Sequence, residues 1–244
     1  MKFIKIIIKK ILRFLGWKLI SLKIKKQSTF VNQKPELDEI NCISESDGIL
    51  HFGAHRGKEA AVYNWFNKKV LWIEANPLIF EDLNDNVKLY HEQNALNLLL
   101  GDINKKNVDF YLSNKDSSCS SIFDLSNEVK VGKLWKEHNV RMVNKIKLDM
   151  IRFDDAVIKY NINLKDYNHW LVDLQGSEIQ FLKGAVKSIN YCRSIMIEIS
   201  TKKFYTKDST TWDELKKFLL EKGFSNTKEP TLEHCDILFK RNNK

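Results

Sequence analysis

The sequence predicts an α/β fold: a mostly parallel sheet with helices on both faces. Three observations carry that prediction. Short buried-type runs such as Gly48–Phe52, Val70–Ile73, Trp170–Leu174 and Ile195–Ile199 alternate with helix-like segments. Several of these runs end in a glycine or a carboxylate, the punctuation of strand-to-helix turns. The 244 residues are 43% hydrophobic and 29% charged, with only nine Gly and three Pro, so a substantial core forms without long linkers.

Taken in order, Gln27–Glu39 is polar and reads as a linker. Gly48–Phe52 is the first strand, Glu59–Phe66 the first helix and Val70–Ile73 the second strand. Asn76-Pro77 opens the next helix, with Asn76 as N-cap and Pro77 at the first helical position, and it runs to about Tyr90. Asn97–Leu100 is a short third strand ending at Gly101-Asp102, and Val108–Leu112 is another strand. Ser117-Ser118-Cys119-Ser120-Ser121 is a loop, residues 122–145 carry no clear period, and Asp154–Tyr160 is a weak helix. Trp170–Leu174, apolar on both faces, is a central strand. Ser177 and Gln180 form a capping box opening a helix to about Ser188. Ile195–Ile199 is a further buried strand. Thr211 and Glu214 form a second capping box on a helix that Gly223 stops, and Ile237–Phe239 is the last strand.

Charge is distributed unevenly. Of the 40 Lys and Arg, nine lie in residues 1–26, which hold no acid, so the remaining 31 match the 31 acids. A neutral body argues against nucleic acid as a partner. In the first segment Ile4, Ile7, Ile8, Ile11, Phe14, Leu15, Leu19 and Leu22 recur at three- and four-residue steps with lysines between them. That is a basic amphipathic helix suited to an anionic membrane surface or to packing on protein. No apolar run approaches the ~20 residues of a membrane span. Cys42, Cys119, Cys192 and Cys235 show no C-x-x-C spacing, so no structural zinc is expected and the compartment read is the cytoplasm.

The chemistry centres on Ile49–Pro77. The first strand ends at Gly53, and Glu74, at the end of the second strand, lies 21 residues beyond it. That is about the ~20-residue offset at which a carboxylate meets the ribose hydroxyls of a nucleotide-like ligand. Gly53 permits the sharp turn, and its missing Cβ lets a ligand approach. Only Gly53 and Gly57 are present, without the third glycine of a dinucleotide fingerprint, and there is no P-loop. A cofactor with adenosine and no pyrophosphate fits, and S-adenosylmethionine is the obvious candidate.

A second constellation, Asp173-Leu174-Gln175-Gly176-Ser177-Glu178, stands at the end of the central strand. Taken with Gly53-Ala54-His55-Arg56-Gly57, Glu74-Ala75-Asn76-Pro77, the serine-rich loop, Phe181–Ala185 and the Glu198 strand end, it resembles the FkbM family of methyltransferases over roughly Asp47–Phe239. The resemblance implies a seven-stranded class I methyltransferase fold over residues 47–244, preceded by a lead-in at 27–46, and O-methylation with S-adenosylmethionine. It implies that Gly53 and Ala54 line the methionine end, that Glu74 holds the ribose with Asn76 beside it, and that Asp102 approaches the adenine amino group. The Ser118–Ser121 loop, Ser120 included, covers the site. His51 stands where many relatives carry an acid, so Asp173 takes more of the contact to the cofactor amino group.

Methyl transfer from a sulfonium asks the protein mainly to align the acceptor and take up a hydroxyl proton. Asp173 is the first candidate for that role, with Glu178 and Glu198 next. An Asp before a glycine turn also commonly bonds backbone amides, and an acid in a first helical turn is favourable by itself. His51 and His55 are alternative bases; His138, His169 and His234 have no triad spacing. No metal ligands cluster. The expected acceptor is a hydroxyl of a sugar or glycan precursor, lipid-linked ones included, in bacterial surface polysaccharide synthesis at the inner face of the plasma membrane. The competing readings are a non-catalytic partner subunit of the same fold and a methyltransferase of a small secondary metabolite. The sequence leaves oligomeric state open.

Overall fold

The computed structural model describes residues 37–242 apart from 115, 135–138 and 207. The amphipathic helix expected in residues 1–26, most of the linker and His138 lie outside the described residues. The first described element, α1 (Leu37–Glu45), already begins inside the stretch expected to be linker.

From there the chain alternates as expected: β1 (Gly48–Phe52), α2 (Ala60–Trp65), β2 (Lys69–Glu74), α3 (Pro77–Val87) and β3 (Gln93–Asn97). An excursion follows, with β4 (Leu99–Gly101), β5 (Lys105–Ser113), α4 (Asn127–Lys130) and β6 (Met142–Arg152). Then come α5 (Phe153–Lys159), β7 (His169–Val172), α6 (Glu178–Gly184), β8 (Ser194–Ser200), α7 (Trp212–Glu221), β9 (Phe224–Asn226) and β10 (His234–Arg241).

Seven strands form one sheet in the order β3-β2-β1-β7-β8-β10-β9. Every neighbouring pair from β3 to β8 is parallel, while β10 runs antiparallel to β8 and β9. This is the seven-stranded class I methyltransferase sheet. Its two faces can be read from alternation along the strands. Leu50, Phe52, Leu71 and Ile73 point to the face covered by Phe153 of α5, Phe181 and Leu182 of α6, and Leu215 and Leu219 of α7. Ile49, Val70 and Trp72 point to the other, against Ala60 and Tyr63 of α2 and Leu83 and Val87 of α3. The order reverses between β1 and β7, so the carboxyl ends of those strands open a crevice, the place where ligands bind in open α/β sheets.

Three expectations need correction. The third strand of the sheet is Gln93–Asn97, not Asn97–Leu100. Asn97 donates its side-chain amide to the carbonyls of Glu74 (2.8 Å) and Ala75 (3.0 Å), which ends the pairing there. Leu99–Gly101 instead joins a separate three-stranded sheet, parallel to β6, with β5 on the other side of β6. The Ser177–Gln180 capping box does not form. The Ser177 hydroxyl donates to Leu174 O (2.9 Å), Gln180 donates to Asp208 O, and the cap on Ile179 N is Thr210 Oγ1 at 3.0 Å. That helix also stops at Gly184 rather than near Ser188. A Cβ at Gly184 would fall 1.9 Å from Gly101 O, so the helix end packs directly on β4. Asp154 then accepts the Ser188 amide (2.9 Å) and hydroxyl (2.6 Å), which starts a new turn at Ser188–Tyr191. By contrast, Asn76 caps α3 with Pro77 at its first position, and Thr211 caps α7 through Glu214 N.

Candidate functional site

The ends of β1, β2 and β7 converge on a cavity of about 240 Å³. Its floor is the turn after β1. Gly53 has φ +76°, and a Cβ there would lie 1.7 Å from Asp173 O, so only glycine lets the β1 and β7 ends close on each other. The amides of Gly53 and Ala54 both donate to Ile73 O, at 2.9 and 3.0 Å, and the Asp173 amide donates to Phe52 O at 3.0 Å. Three strand ends are thereby locked together.

Glu74 forms one wall. Its Oε2 accepts from His55 N and its Oε1 from Asn76 N, each at 2.8 Å. Two backbone bonds hold the carboxylate rigid, yet a carboxylate has about four lone-pair sites, so each oxygen can accept another hydrogen bond. Burial pushes Glu74 up to about 7 against the pull of those amides. A second wall is apolar, formed by Leu98, Leu99, Leu100 and Phe110. A third comes from Ser117, Ser118 and Ser120 of the serine loop. That loop is fastened by Ser113, whose amide donates to Ser120 Oγ and whose hydroxyl accepts from Cys119 N, both at 3.1 Å. The Ser121 hydroxyl donates to Gln175 O at 2.7 Å. Arg56 ties the same loop to the body: its guanidinium pairs with Asp116 and, at 2.8 Å, with Asp82 of α3.

Opposite Glu74 stand Asp173, Leu174 and Gln175. Gln175 has φ +51°, uncommon for a side-chain-bearing residue, and Gly176 follows at +94°. The turn directs the Gln175 amide so that its NH₂ donates to Asp173 Oδ1 and, at 2.7 Å, to Glu198 Oε2. The Tyr205 hydroxyl donates to Gln175 Oε1 at 2.6 Å, which fixes the amide's orientation. Asp173 and Glu198 hydrogen-bond each other. Burial and the neighbouring Glu198 raise Asp173 well above the ordinary carboxylate range, and burial pushes Glu198 up to about 8.

Of the residues singled out from sequence, His51, Gly53, Ala54, Glu74, Ser120 and Asp173 line this one cavity. Asn76 and Asp102 do not. Asn76 is buried as the cap of α3. Asp102 follows β4 in the second sheet, because the strand expected to bring it to the crevice ends five residues earlier, at Asn97. Glu178 is also outside. It is buried, and its Oε1 accepts from Leu174 N (3.1 Å) and Gly176 N (3.0 Å), stabilising the turn from behind; burial raises it to about 7. Glu198 lines a second, smaller cleft beyond Gln175. His51 stacks on Trp72 with ring centroids 4.8 Å apart and faces the Tyr63 hydroxyl at 3.3 Å, and burial lowers its pKa. His169 is a core residue bonded to Ser194 Oγ at 2.7 Å.

Sequence reading passed over Gln175 and Tyr205 as individual contributors, and Arg56 and Lys58, which bring two cations to the cavity rim. Gln175 lay inside a quoted motif, and its place before Gly176 was the available signal. Tyr205 gave none. Among the described residues no cluster of His, Cys, Asp or Glu is arranged to hold a metal ion.

A family model described as a Methyltransferase FkbM domain matches residues 51–225, most of the chain. No curated protein matches. Among solved structures, the chain is similar to fibrillarin of Aeropyrum pernix in complex with natively bound S-adenosyl-L-methionine. That match has 13% identity, covers 81% of this chain and 67% of that chain, and has a TM-score of 0.47. It is also similar to magnesium protoporphyrin IX methyltransferase of Synechocystis PCC 6803 with bound SAH, at 6% identity, 82% and 75% coverage and TM-score 0.43. A third is a caffeoyl-CoA O-methyltransferase, so described as putative, of Staphylococcus aureus, at 8% identity, 96% and 90% coverage and TM-score 0.42. At these scores the structural likenesses carry no argument, and the fold rests on the strand order above.

Proposed function

The chain belongs to the FkbM methyltransferase family, and from that premise we propose that it is an S-adenosylmethionine-dependent O-methyltransferase acting on a hydroxyl of a sugar or glycan precursor, in bacterial surface polysaccharide synthesis. The observation that carries the cofactor assignment is Glu74: a carboxylate oriented by two amides, with lone pairs left for a ribose diol, beside a glycine turn that no Cβ obstructs. The remaining lining fits the same group. Leu98–Leu100 and Phe110 suit an adenine face, and Arg56 and Lys58 suit a carboxylate. When bound, the cofactor supplies an electrophilic methyl group on a sulfonium.

The chain's own residues then have separable tasks. Gly53 and Ala54 give backbone access, Glu74 orients the nucleoside, and the serine loop excludes water from the reacting atoms. Asp173, across the cavity from Glu74, takes up the acceptor's hydroxyl proton. Its raised pKa makes it a stronger base than an ordinary carboxylate once ionised. Glu178 keeps the turn in shape, and Glu198 supports Asp173 through Gln175. The basic segment 1–26 would hold the protein at an anionic membrane, where lipid-linked precursors sit.

Calorimetric titration of S-adenosylmethionine into wild type and Glu74→Ala tests the assignment, followed by transfer of labelled methyl to surface-glycan precursors. Micromolar wild-type binding that the variant loses supports it. No wild-type binding turns the reading to a non-catalytic subunit of the same fold.

A further inference from the structure

Gln175 separates two spaces. On one side is the cavity that holds Asp173. On the other is a narrow cleft lined by Glu198, Ser200, Lys202, Tyr205 and His234, with a volume of about 20 Å³. That is room for roughly one water molecule, and the lining is polar enough to hold it. Lys202 on its rim is exposed.

The two spaces are joined by hydrogen bonds. The Gln175 NH₂ donates to both Asp173 and Glu198 and so holds the two carboxyls side by side, where burial and their mutual charge favour a single proton shared between them. Glu198 reaches onward: its Oε1 lies 2.8 Å from His234 Nε2. His234 Nδ1 in turn lies 2.7 Å from Ser200 Oγ. With the ring proton on Nδ1 and donated to Ser200, Nε2 accepts from a protonated Glu198. Both side chains are about one-fifth exposed, 22% for His234 and 19% for Glu198, so the chain ends at solvent rather than in the core. Gln175 and Tyr205 hold the carboxyl pair in register.

We infer that Glu198 and His234 are a proton exit for Asp173, leading from the methyl-transfer cavity past Gln175 to the water-sized cleft. The inference rests on the methyltransferase reading above, which makes Asp173 the proton acceptor. The acceptor oxygen forms its bond to the methyl carbon with its own electron pair, and the S–CH₃ pair stays on sulfur. The O–H proton goes to Asp173, and the proton shared by the carboxyl pair moves onto Glu198. Glu198 passes one proton to His234 Nε2, and the imidazolium loses its Nδ1 proton through Ser200 to water. The carboxyl pair is back to one proton, and the ring, left as its Nε2–H tautomer, returns to the Nδ1–H form by proton exchange with water in the cleft. Among the described residues, the charged groups around His234 include Glu198 and Asp173 from the strand ends, Glu178 from α6 and Asp236 from its own strand, where Asp236 pairs with Glu198 across the ladder, and Lys202 lines the same cleft. The carboxyls favour the imidazolium that the step needs, while burial outweighs them and lowers the His234 pKa, so the ring holds the extra proton only in passing.

The test is an NMR titration of the full-length protein labelled at the Asp and Glu carboxyl carbons and the His ring nitrogens. It compares wild type, Asp173→Asn, Glu198→Gln and His234→Gln, with thermal melts to show that each folds. In wild type, Glu198 and His234 titrate as a linked pair. Asp173→Asn displaces the Glu198 and His234 curves together, and in the Glu198→Gln background the same substitution moves the His234 curve less. A folded Asp173→Asn protein in which Glu198 and His234 titrate as in wild type overturns the exit. Calorimetric S-adenosylmethionine binding on the same samples separates the two readings. Binding with uncoupled titrations overturns the exit alone, whereas no binding by wild type overturns the methyltransferase reading and the exit with it.

Discussion

Glu74 accepts two backbone amides and still titrates near 7, because burial outweighs the amides that favour its charge. Ribose hydroxyls donate to the ionised form, so cofactor binding should tighten as pH rises through about 7 and should release a proton. Below that pH the apparent affinity should fall by up to about tenfold per pH unit, the slope of a one-proton linkage. Calorimetry from pH 5.5 to 8.5 in buffers of different ionisation enthalpy checks this, and a flat affinity would exclude it; Glu74→Gln should bind weakly with no pH slope. Glu178 gives the matching statement for stability. Its folded pKa, about 7, lies above the ~4.3 of an unfolded glutamate. The native state therefore binds more protons between those values, so this contribution is complete below ~4.3 and is lost as pH rises through about 7. Glu178→Gln keeps an oxygen for the Leu174 and Gly176 amides but cannot ionise. Its Tm should gain on wild type more at pH 8 than at pH 5, and equal gains at both would be evidence against the burial argument. Glu74 and Gly53 were legible in the sequence because their spacing is local to one βαβ unit. Tyr205 and His234 were not, because they meet Gln175 and Glu198 from 30 and 36 residues away along the chain.

At the scale of elements, the sequence was readable wherever a signal was confined to one turn. Asn76-Pro77 and Thr211 marked their helix starts correctly, since a cap is made by neighbours two or three residues on. Ser177 misled for a tertiary reason: its hydroxyl turns back to Leu174 O, and Thr210, from the far end of the β8–α7 connection, supplies the cap. Thr210→Ala therefore removes the acceptor for Ile179 N and the bond to Gly176 O (2.9 Å) together. It should cost about 1 kcal/mol in denaturant unfolding, with Thr210→Ser near wild type. An unchanged midpoint in the alanine variant would assign the cap elsewhere. The strand β6 escaped reading because its first residues fall in a stretch without a period. Its later half does alternate, with Ile146, Leu148 and Met150 packed in a cluster between Lys145, Lys147 and Asp149. That alternation was visible but has one face in solvent and lies outside the main sheet. Its neighbour β4 was consequently assigned to the wrong sheet, and Asp102 with it.

For the whole molecule, fold class followed from the alternation of buried runs with capped helices, and the crevice followed from the point where strand order reverses. The acceptor does not follow from either, because the cavity residues that fit a nucleoside say little about what meets the methyl group. Charge offers the remaining argument. The body is neutral, and the nine-residue basic excess lies wholly within residues 1–26, ahead of the family-matched region at 51–225. Each basic residue near an anionic surface is worth about 1 kcal/mol, and that attraction decays over a Debye length of about 8 Å at physiological salt. Full-length protein should therefore co-sediment with vesicles containing anionic lipid, and much less with zwitterionic ones. A chain starting at Gln27 should stay in the supernatant while binding S-adenosylmethionine as the full chain does. Raising the salt to about 1 M, where the Debye length is about 3 Å, should weaken the full-length interaction but leave whatever part the apolar stripe of Ile4, Ile7, Ile8 and Ile11 contributes. Equal sedimentation of both chains would remove the membrane from the proposal. It would leave a cofactor-binding body whose acceptor must be sought among soluble glycan precursors.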